Sequence, residues 1–209
     1  MSQAAARVVA AIRTGEPVVL PTDTVYGLCV SPYSERHAQR LYRLKGRDER
    51  EPVALLAGDL DTLLDDVPEL RGRAASIARG LLPGPWTLVL PNPARRFRWL
   101  TGGRPETIGV RVPELPDEAR DVLAEVGALA ATSANLTGGP DPSRLEDVPR
   151  EILERCGAVL DGGALPGLPS TVLDLTGEEP AVLRAGAGSA ADALERVRGL
   201  IASLGSPQS

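Results

Sequence analysis

Aromatic side chains make up only 3% of this 209-residue chain. Two Trp, three Tyr and one Phe cannot supply the series of stacking rings that single-stranded nucleic acid requires. His37 is the only histidine. On the exposed face of an expected helix, without a companion, it offers neither a catalytic dyad nor a metal site. Cys29 and Cys156 are the only cysteines; they form no CxxC or Cys/His pattern, which argues against structural zinc, and neither is read as a nucleophile. No stretch approaches the roughly 20 apolar residues of a membrane span, and the N-terminus lacks an apolar signal segment. A cytoplasmic protein with no membrane partner is therefore expected. A Walker-type G-x-x-x-x-G-K-[ST] loop and a G-x-S-x-G elbow are both missing. Without a dedicated nucleophile, the chemistry left is positioning and charge stabilisation between bound substrates.

Lysine is the scarcest charged type. The chain has 23 cationic residues, of which Lys45 alone is lysine and the other 22 are arginine. Coding bias explains the arginines but not why one position kept an ammonium. The two cations are interchangeable on a solvated surface, not where a compact group must reach a phosphate. The net charge of -5 argues against a broad basic field for nucleic acid while leaving room for a local cationic pocket.

What is abundant is apolar aliphatic material, in a 43% hydrophobic composition ample for one buried core. The patterning predicts helices at Ala4 to Ile12 (capped by Ser2, with Gly15 beyond its end), Ser34 to Leu44, Leu70 to Leu81, Asp117 to Val126, Glu146 to Arg155 and near 189 to 203. Short apolar runs predict strands at Val18 to Leu20, Val25 to Val30, Pro52 to Ala57, Trp86 to Leu90, Thr107 to Val112, Ala128 to Ala131, Val159-Leu160, Thr171 to Leu175 and Ala181 to Arg184. Residues 92 to 106 read as an exposed loop. Helices and strands alternate, with strand neighbours late in the chain, which favours an α/β fold with a mixed sheet. One domain over 1–204 is expected, with 205–209 as a frayed tail.

Polar segments interrupt the apolar strands. In Pro21-Thr22-Asp23-Thr24, the hydroxyls of Thr22 and Thr24 alternate by two and would share a side of an extended chain; an ordinary turn is the other reading. Lys45-Gly46-Arg47 presents two cations around a glycine and suits a polyphosphate, or simply a basic helix end. Thr132-Ser133-Ala134-Asn135 follows a strand, where ligand loops of open α/β sheets lie, and also fits a turn. Pro169-Ser170-Thr171 enters a strand and Arg184-Ala185-Gly186 leaves one. Arg111, inside an apolar strand, needs an anion, either a protein carboxylate or a substrate's.

Taken in order, PTDTVYGL, LYRLKGRDEREPVALL, LLPGPWTLVL, IGVRVP, ATSANLTGGP, PSTVLDLTG and VLRAGAG resemble the YrdC/Sua5 family of L-threonylcarbamoyladenylate synthases, from about Val18 to Gly188, in its short single-domain form. The resemblance implies a YrdC-like twisted mixed parallel/antiparallel sheet with flanking helices around a concave cationic cavity. It implies a nucleotidyltransferase that makes threonylcarbamoyl-AMP and pyrophosphate from L-threonine, bicarbonate and ATP, with Mg²⁺ as cofactor. The product would pass to a separate transferase complex for t⁶A modification of tRNA.

By position, Lys45 and Arg47 are expected to be catalytic and to grip the ATP phosphates. Thr107, Ser133, Asn135 and Arg184 are expected at the nucleotide, and Thr22, Arg111 and Ser170 at the substrate threonine. Two positions depart from the pattern of many members: Asp48 stands where they carry proline, and Leu56 where they carry a histidine near the threonine. Competing readings are a YciO-type paralogue with little synthase activity and a module for double-stranded RNA or tRNA. The Arg95-Arg96-Phe97-Arg98-Trp99 patch would serve the latter, although a solvated lid or loop is the plainer expectation. Lys45→Ala is expected to weaken ATP binding and turnover far more than Arg50→Ala.

Overall fold

The computed structural model describes residues 1–205, Gly205 by its backbone alone, so the tail expected to fray lies outside the described residues beyond that point. Helix α1 (Gln3–Arg13) starts where Ser2 caps it, the Ser2 hydroxyl accepting from Ala5 N at 3.2 Å. It buries Ala5, Val8, Val9 and Ile12 along one stripe, the i, i+3, i+4, i+7 spacing of an amphipathic helix. Strands β1 (Val18–Pro21) and β2 (Tyr26–Val30) pair antiparallel, with the Thr22–Val25 turn between them. Helix α2 (Glu35–Lys45) ends at Gly46, whose φ of +64° is the left-handed conformation that a C-cap favours.

Strand β3 (Ala54–Ala57), helix α3 (Leu60–Asp66), helix α4 (Arg73–Leu81), strand β4 (Trp86–Pro91) and strand β5 (Thr107–Arg111) follow. Then come helix α5 (Asp117–Val126), strand β6 (Ala128–Ser133), helix α6 (Arg150–Leu153), strand β7 (Ala158–Val159), strands β8 (Thr171–Asp174) and β9 (Ala181–Arg184), and helix α7 (Ala190–Gly205). Helix α3 was not expected. The helix expected over Glu146 to Arg155 is only the single turn α6, preceded by a 3₁₀ turn at Leu145–Asp147, because Pro149 between them cannot continue a hydrogen-bonded helix.

Among the described residues, nine strands form one sheet in the order β7-β1-β2-β6-β3-β5-β4-β8-β9. Three neighbouring pairs are parallel, β1 with β7, β3 with β5 and β4 with β8; the others are antiparallel. This is the mixed sheet expected from the sequence. No helix among the described residues is long and apolar enough to cross a membrane.

The strand register sorts side chains to two faces. One face carries Leu28, Val30, Leu55, Leu88, Leu90, Ile108, Val110, Ala130 and Leu173 into the larger core with α2, α3, α4 and α7. On the other face, Val18, Leu20, Cys29, Leu56 and Leu129 pack under α1 and α5 as a second core. Those two helices cover the β7, β1, β2 and β6 part of this face and reach Leu56 of β3. Beyond them the same face, on β5, β4 and β8, forms the floor of a hollow.

The 92–106 segment is not the free loop the sequence suggested. Asn92, Leu100 and Thr101 are buried, and Asn92 closes the loop by donating to Arg96 O at 2.9 Å and accepting from Arg96 N at 3.0 Å. Phe97 stacks between Tyr33 and Trp99, Trp99 donates to Pro32 O at 2.9 Å, and Arg96 pairs with Glu69 at 2.6 Å. The basic-aromatic patch is thus pinned against the larger core, away from the wall of the hollow.

Candidate functional site

The hollow measures about 440 Å³, within the range of sites for small molecules. Its wall is built by alternation along the strands. Thr107, Gly109 and Arg111 of β5, Thr87 and Val89 of β4, Val172 of β8 and Ala54 and Leu56 of β3 point into it. Ser133, Ser170, Thr22 and Arg184 enter at strand ends, and Arg47, Arg50 and Arg104 from two loops. Among the described residues the charged and hydroxyl groups of the wall are arginines, serines and threonines with no Asp or Glu, which makes it a cationic surface in an otherwise acidic chain.

Arg111 is buried and has the protein carboxylate as its partner. Its Nη2 pairs with Asp23 Oδ1 and donates to Thr24 Oγ1 at 2.7 Å. Thr22 Oγ1 donates to Val25 O at 2.7 Å and lies 3.1 Å from Thr24 Oγ1, so Thr24 donates to Thr22 in a relay that starts at Arg111. The expected meeting of the two threonine hydroxyls is therefore present, but within a bend rather than an extended chain. The Thr22 hydroxyl is committed to that bend. Asp23 Oδ2 and Arg111 Nε are buried without partners. Burial raises the Asp23 carboxyl above its ordinary value, opposed by the Arg111 charge.

Lys45 lies behind the wall rather than on it. Its Nζ donates to Ser133 O at 2.6 Å, Asn135 Oδ1 at 2.6 Å and Asn135 O at 3.0 Å. Three donors diverging from one atom meet three oxygens, a geometry that a planar guanidinium cannot reproduce. This accounts for the single lysine of the chain. Burial, followed by the nearby Arg47 charge, lowers its pKa to about 8. Ser133 Oγ donates to Asn135 Oδ1 at 2.7 Å, and Thr137 N reaches back to Lys45 O at 3.1 Å, so the loop after β6 wraps around the lysine. Asn135 is likewise absent from the wall.

The far side is a second hydroxyl cluster. Ser170 Oγ and Thr87 Oγ1 are 2.8 Å apart, and Arg184 donates to Ser170 O at 2.8 Å. Thr107 Oγ1 donates to Arg104 O at 3.0 Å. Arg47 donates to Pro52 O at 3.0 Å and pairs with Glu51 at 3.3 Å, while its Nε is buried without a partner. Asp48 does not face the hollow. It makes a turn, its carboxylate accepting from Arg50 N at 2.8 Å and its carbonyl from Glu51 N at 2.9 Å.

Of the residues singled out from sequence, Thr22, Arg47, Thr107, Arg111, Ser133, Ser170 and Arg184 line the hollow, and Lys45 and Asn135 support it from behind. Arg50, which is exposed at the rim, and Thr87 and Arg104, not singled out, also belong to the wall. Thr87 carried the same signal as Arg111, a polar residue at an alternate position of an apolar strand. Arg104 carried none among so many arginines.

A mixed sheet that leaves a cationic hollow of small-molecule size on one face defines an α/β protein with a small-molecule-sized pocket. The chain matches the Sua5/YciO/YrdC family model, described as "Telomere recombination", over residues 10–186, and belongs to that family. It is 34% identical over 194 residues to the threonylcarbamoyl-AMP synthase of Pyrococcus abyssi, covering 91% of this chain and 56% of that one. The Halorhodospira halophila threonylcarbamoyl-AMP synthase is 36% identical, with 84% of this chain and 91% of the relative covered. The structure of P. abyssi Sua5 complexed with L-threonine superposes with a TM-score of 0.82 at 34% identity, over 92% of this chain and 57% of that one. Escherichia coli YciO superposes with a TM-score of 0.78 at 28% identity, over 88% and 90%. The chain thus spans little more than half the length of the P. abyssi protein.

Proposed function

We propose that this chain is an L-threonylcarbamoyladenylate synthase, a nucleotidyltransferase that joins L-threonine, bicarbonate and ATP into threonylcarbamoyl-AMP, pyrophosphate and water. The observation that carries this reading is the wall itself, where arginines and hydroxyls from separate strands and loops face one space of about 440 Å³ without a carboxylate among the described residues. Such a wall suits two anionic substrates held side by side. The relatives' names supply the identity of those substrates.

In this reading the threonine amine adds to the bicarbonate carbon, water leaves, and a carbamate oxygen attacks the α-phosphorus of ATP as its bond to pyrophosphate breaks. Asp23 takes only Nη2 of Arg111, and Nη1 makes no hydrogen bond to the protein among the described residues. That nitrogen receives the threonine carboxylate, with Ser170 beside the amino acid and the Thr22 bend shaping the floor. Ser133, Thr107 and Arg184 hold the nucleotide, while Asn135, expected there from the sequence, acts from behind the wall by fixing the Ser133 loop to Lys45. Arg47 neutralises charge growing on the phosphates, and Lys45 adds its charge from behind the loop it fixes; donors already in place at the transition state need no reorganisation.

Mg²⁺ finds no ready protein site. The wall has no carboxylate, and no cluster of three or more His, Cys, Asp or Glu that could hold a metal occurs among the described residues. Any Mg²⁺ then enters on the ATP phosphates as part of the substrate. The product passes to a transferase complex that modifies tRNA.

The test is to incubate the purified chain with Mg·ATP, L-threonine and bicarbonate and to look for threonylcarbamoyl-AMP by mass spectrometry. Product and pyrophosphate should appear only when all three are present. Pyrophosphate release that is as fast without threonine would overturn the reading.

A further inference from the structure

The arginines of the wall are not equivalent. Arg47 is held by Pro52 O and Glu51, Arg104 by Asp174 at 3.1 Å, Arg111 by Asp23 and Thr24, and Arg184 by Ser170. Arg50 is the exception, its guanidinium having no hydrogen-bond or ion-pair partner among the described residues. Its backbone, by contrast, is fixed on both sides. Arg50 N donates to Asp48 Oδ1 at 2.8 Å, and Arg50 O accepts from Gly103 N at 3.0 Å. Gly102, at φ +61°, lets the neighbouring loop approach so closely that a Cβ there would overlap Arg50 O.

A loose surface arginine needs no such anchorage. An arginine on an anchored backbone, with all its donors open at the rim of an anion-binding hollow, is pre-organised for an anion from solution. Arg111 and its hydroxyl relay occupy the buried end, and Arg50, together with Arg104 on the adjoining loop, the outer end. We propose that Arg50 is a further substrate-binding residue whose guanidinium takes the outer phosphates of the nucleotide, the part that leaves as pyrophosphate. This rests on the synthase reading for the identity of the nucleotide and adds the means by which the site distinguishes a triphosphate from a monophosphate.

Isothermal titration of Mg·ATP and of AMP, without threonine or bicarbonate, tests it on the wild type, Arg50→Ala and Arg50→Lys. Wild type should bind ATP more tightly than AMP. Arg50→Ala should lose about tenfold on ATP, the effect of a charge-assisted hydrogen bond, while AMP affinity stays within about twofold. Arg50→Lys should fall between, keeping charge without the planar fork. Unchanged ATP affinity in Arg50→Ala, equal losses for ATP and AMP, or a wild type that binds ATP no more tightly than AMP would each overturn the proposal. Wild type that binds ATP in this pattern yet forms no threonylcarbamoyl-AMP sinks the synthase reading alone. Full synthase activity with unaltered ATP affinity in Arg50→Ala sinks the Arg50 assignment alone.

Discussion

Under α1 and α5 the sheet presents Val18, Leu20, Cys29 and Leu129, whereas a few strands away the same face presents Thr87, Thr107 and Arg111. Backbone geometry and side-chain alternation are shared, so the difference lies in residue type. An apolar side chain on this face gains by being covered, and two helices cover it. A hydroxyl or guanidinium there would be stranded beneath a helix, at a cost of a few kcal/mol for each unsatisfied group. The helices stop where the polar residues begin, and the uncovered half stays concave. The hollow is thus the part of the sheet that the sequence makes unprofitable to seal.

The sharpest way to break this comparison is at Arg111, a buried charge on the floor of the open half. Arg111→Met leaves the Asp23 carboxylate without its counter-ion. The loss should be about 3–5 kcal/mol of unfolding free energy, the usual effect of removing one partner of a buried pair, read as a lower urea midpoint. Adding Asp23→Asn should restore most of the stability but no threonine-dependent pyrophosphate release. If stability and activity return together, Arg111 serves only the fold.

On the sealed half the expectation is reversed. Leu129 is fully buried, and Leu129→Ala should cost about 2–5 kcal/mol through lost transfer energy and the cavity left behind. ATP affinity, measured below the unfolding transition, should stay near that of wild type. A loss of ATP affinity without a loss of stability would show that the two halves are not separable.

How far this division was legible in the sequence depends on range. Helix α5 and strand β9 run over the residues their patterning marked, because local periodicity and the turns around them decide such elements. Helix α3 was not legible: it is short, crowded with acids, and buries only Leu63, so its stability comes from packing rather than pattern. The polar segments were each visible as departures from apolar runs, but their grouping came only from the family resemblance, not from patterning. Lys45 meets Ser133 and Asn135 88 and 90 residues away, and Arg111 meets Asp23 88 away, through strand pairings that no single segment encodes. Arg50 and Arg104 were unreadable for a different reason. Their roles depend on which arginines find partners, and that is a property of the folded surroundings.

Lys45 lies beneath the open half, and its effect should be smaller and tied to pH. Its folded pKa, about 8, is below the ordinary 10.5, so between these values the unfolded chain holds a proton that the folded chain has released. Stability therefore rises with pH through that window and carries the full penalty of burying the charge below it. Relative to Lys45→Met, the wild type should gain about 2–3 kcal/mol between pH 8 and 10.5 and almost nothing between pH 6 and 7.5. A difference that is flat throughout would mean that the oxygens around the ammonium fully offset its burial.

The smallest expected effect is at the seam. Leu56 packs with the sealed core and also lines the hollow, and its register partner is Arg111. Leu56→His places at the seam the residue that the family resemblance leads one to expect there. If the seam opens to the hollow, the ring can turn its nitrogens to solvent there, and the cost at pH 8 should be below about 1 kcal/mol, compared with about 1–3 for a polar group buried without partners. The Arg111 charge beside it favours the neutral ring and holds its folded pKa below the ordinary value of about 6.5. Stability is then highest above that pH and falls as the pH drops below it, because the unfolded chain takes up the proton first. A cost above about 2 kcal/mol at pH 8 would place Leu56 with the sealed half and move the boundary of the hollow one strand towards β5.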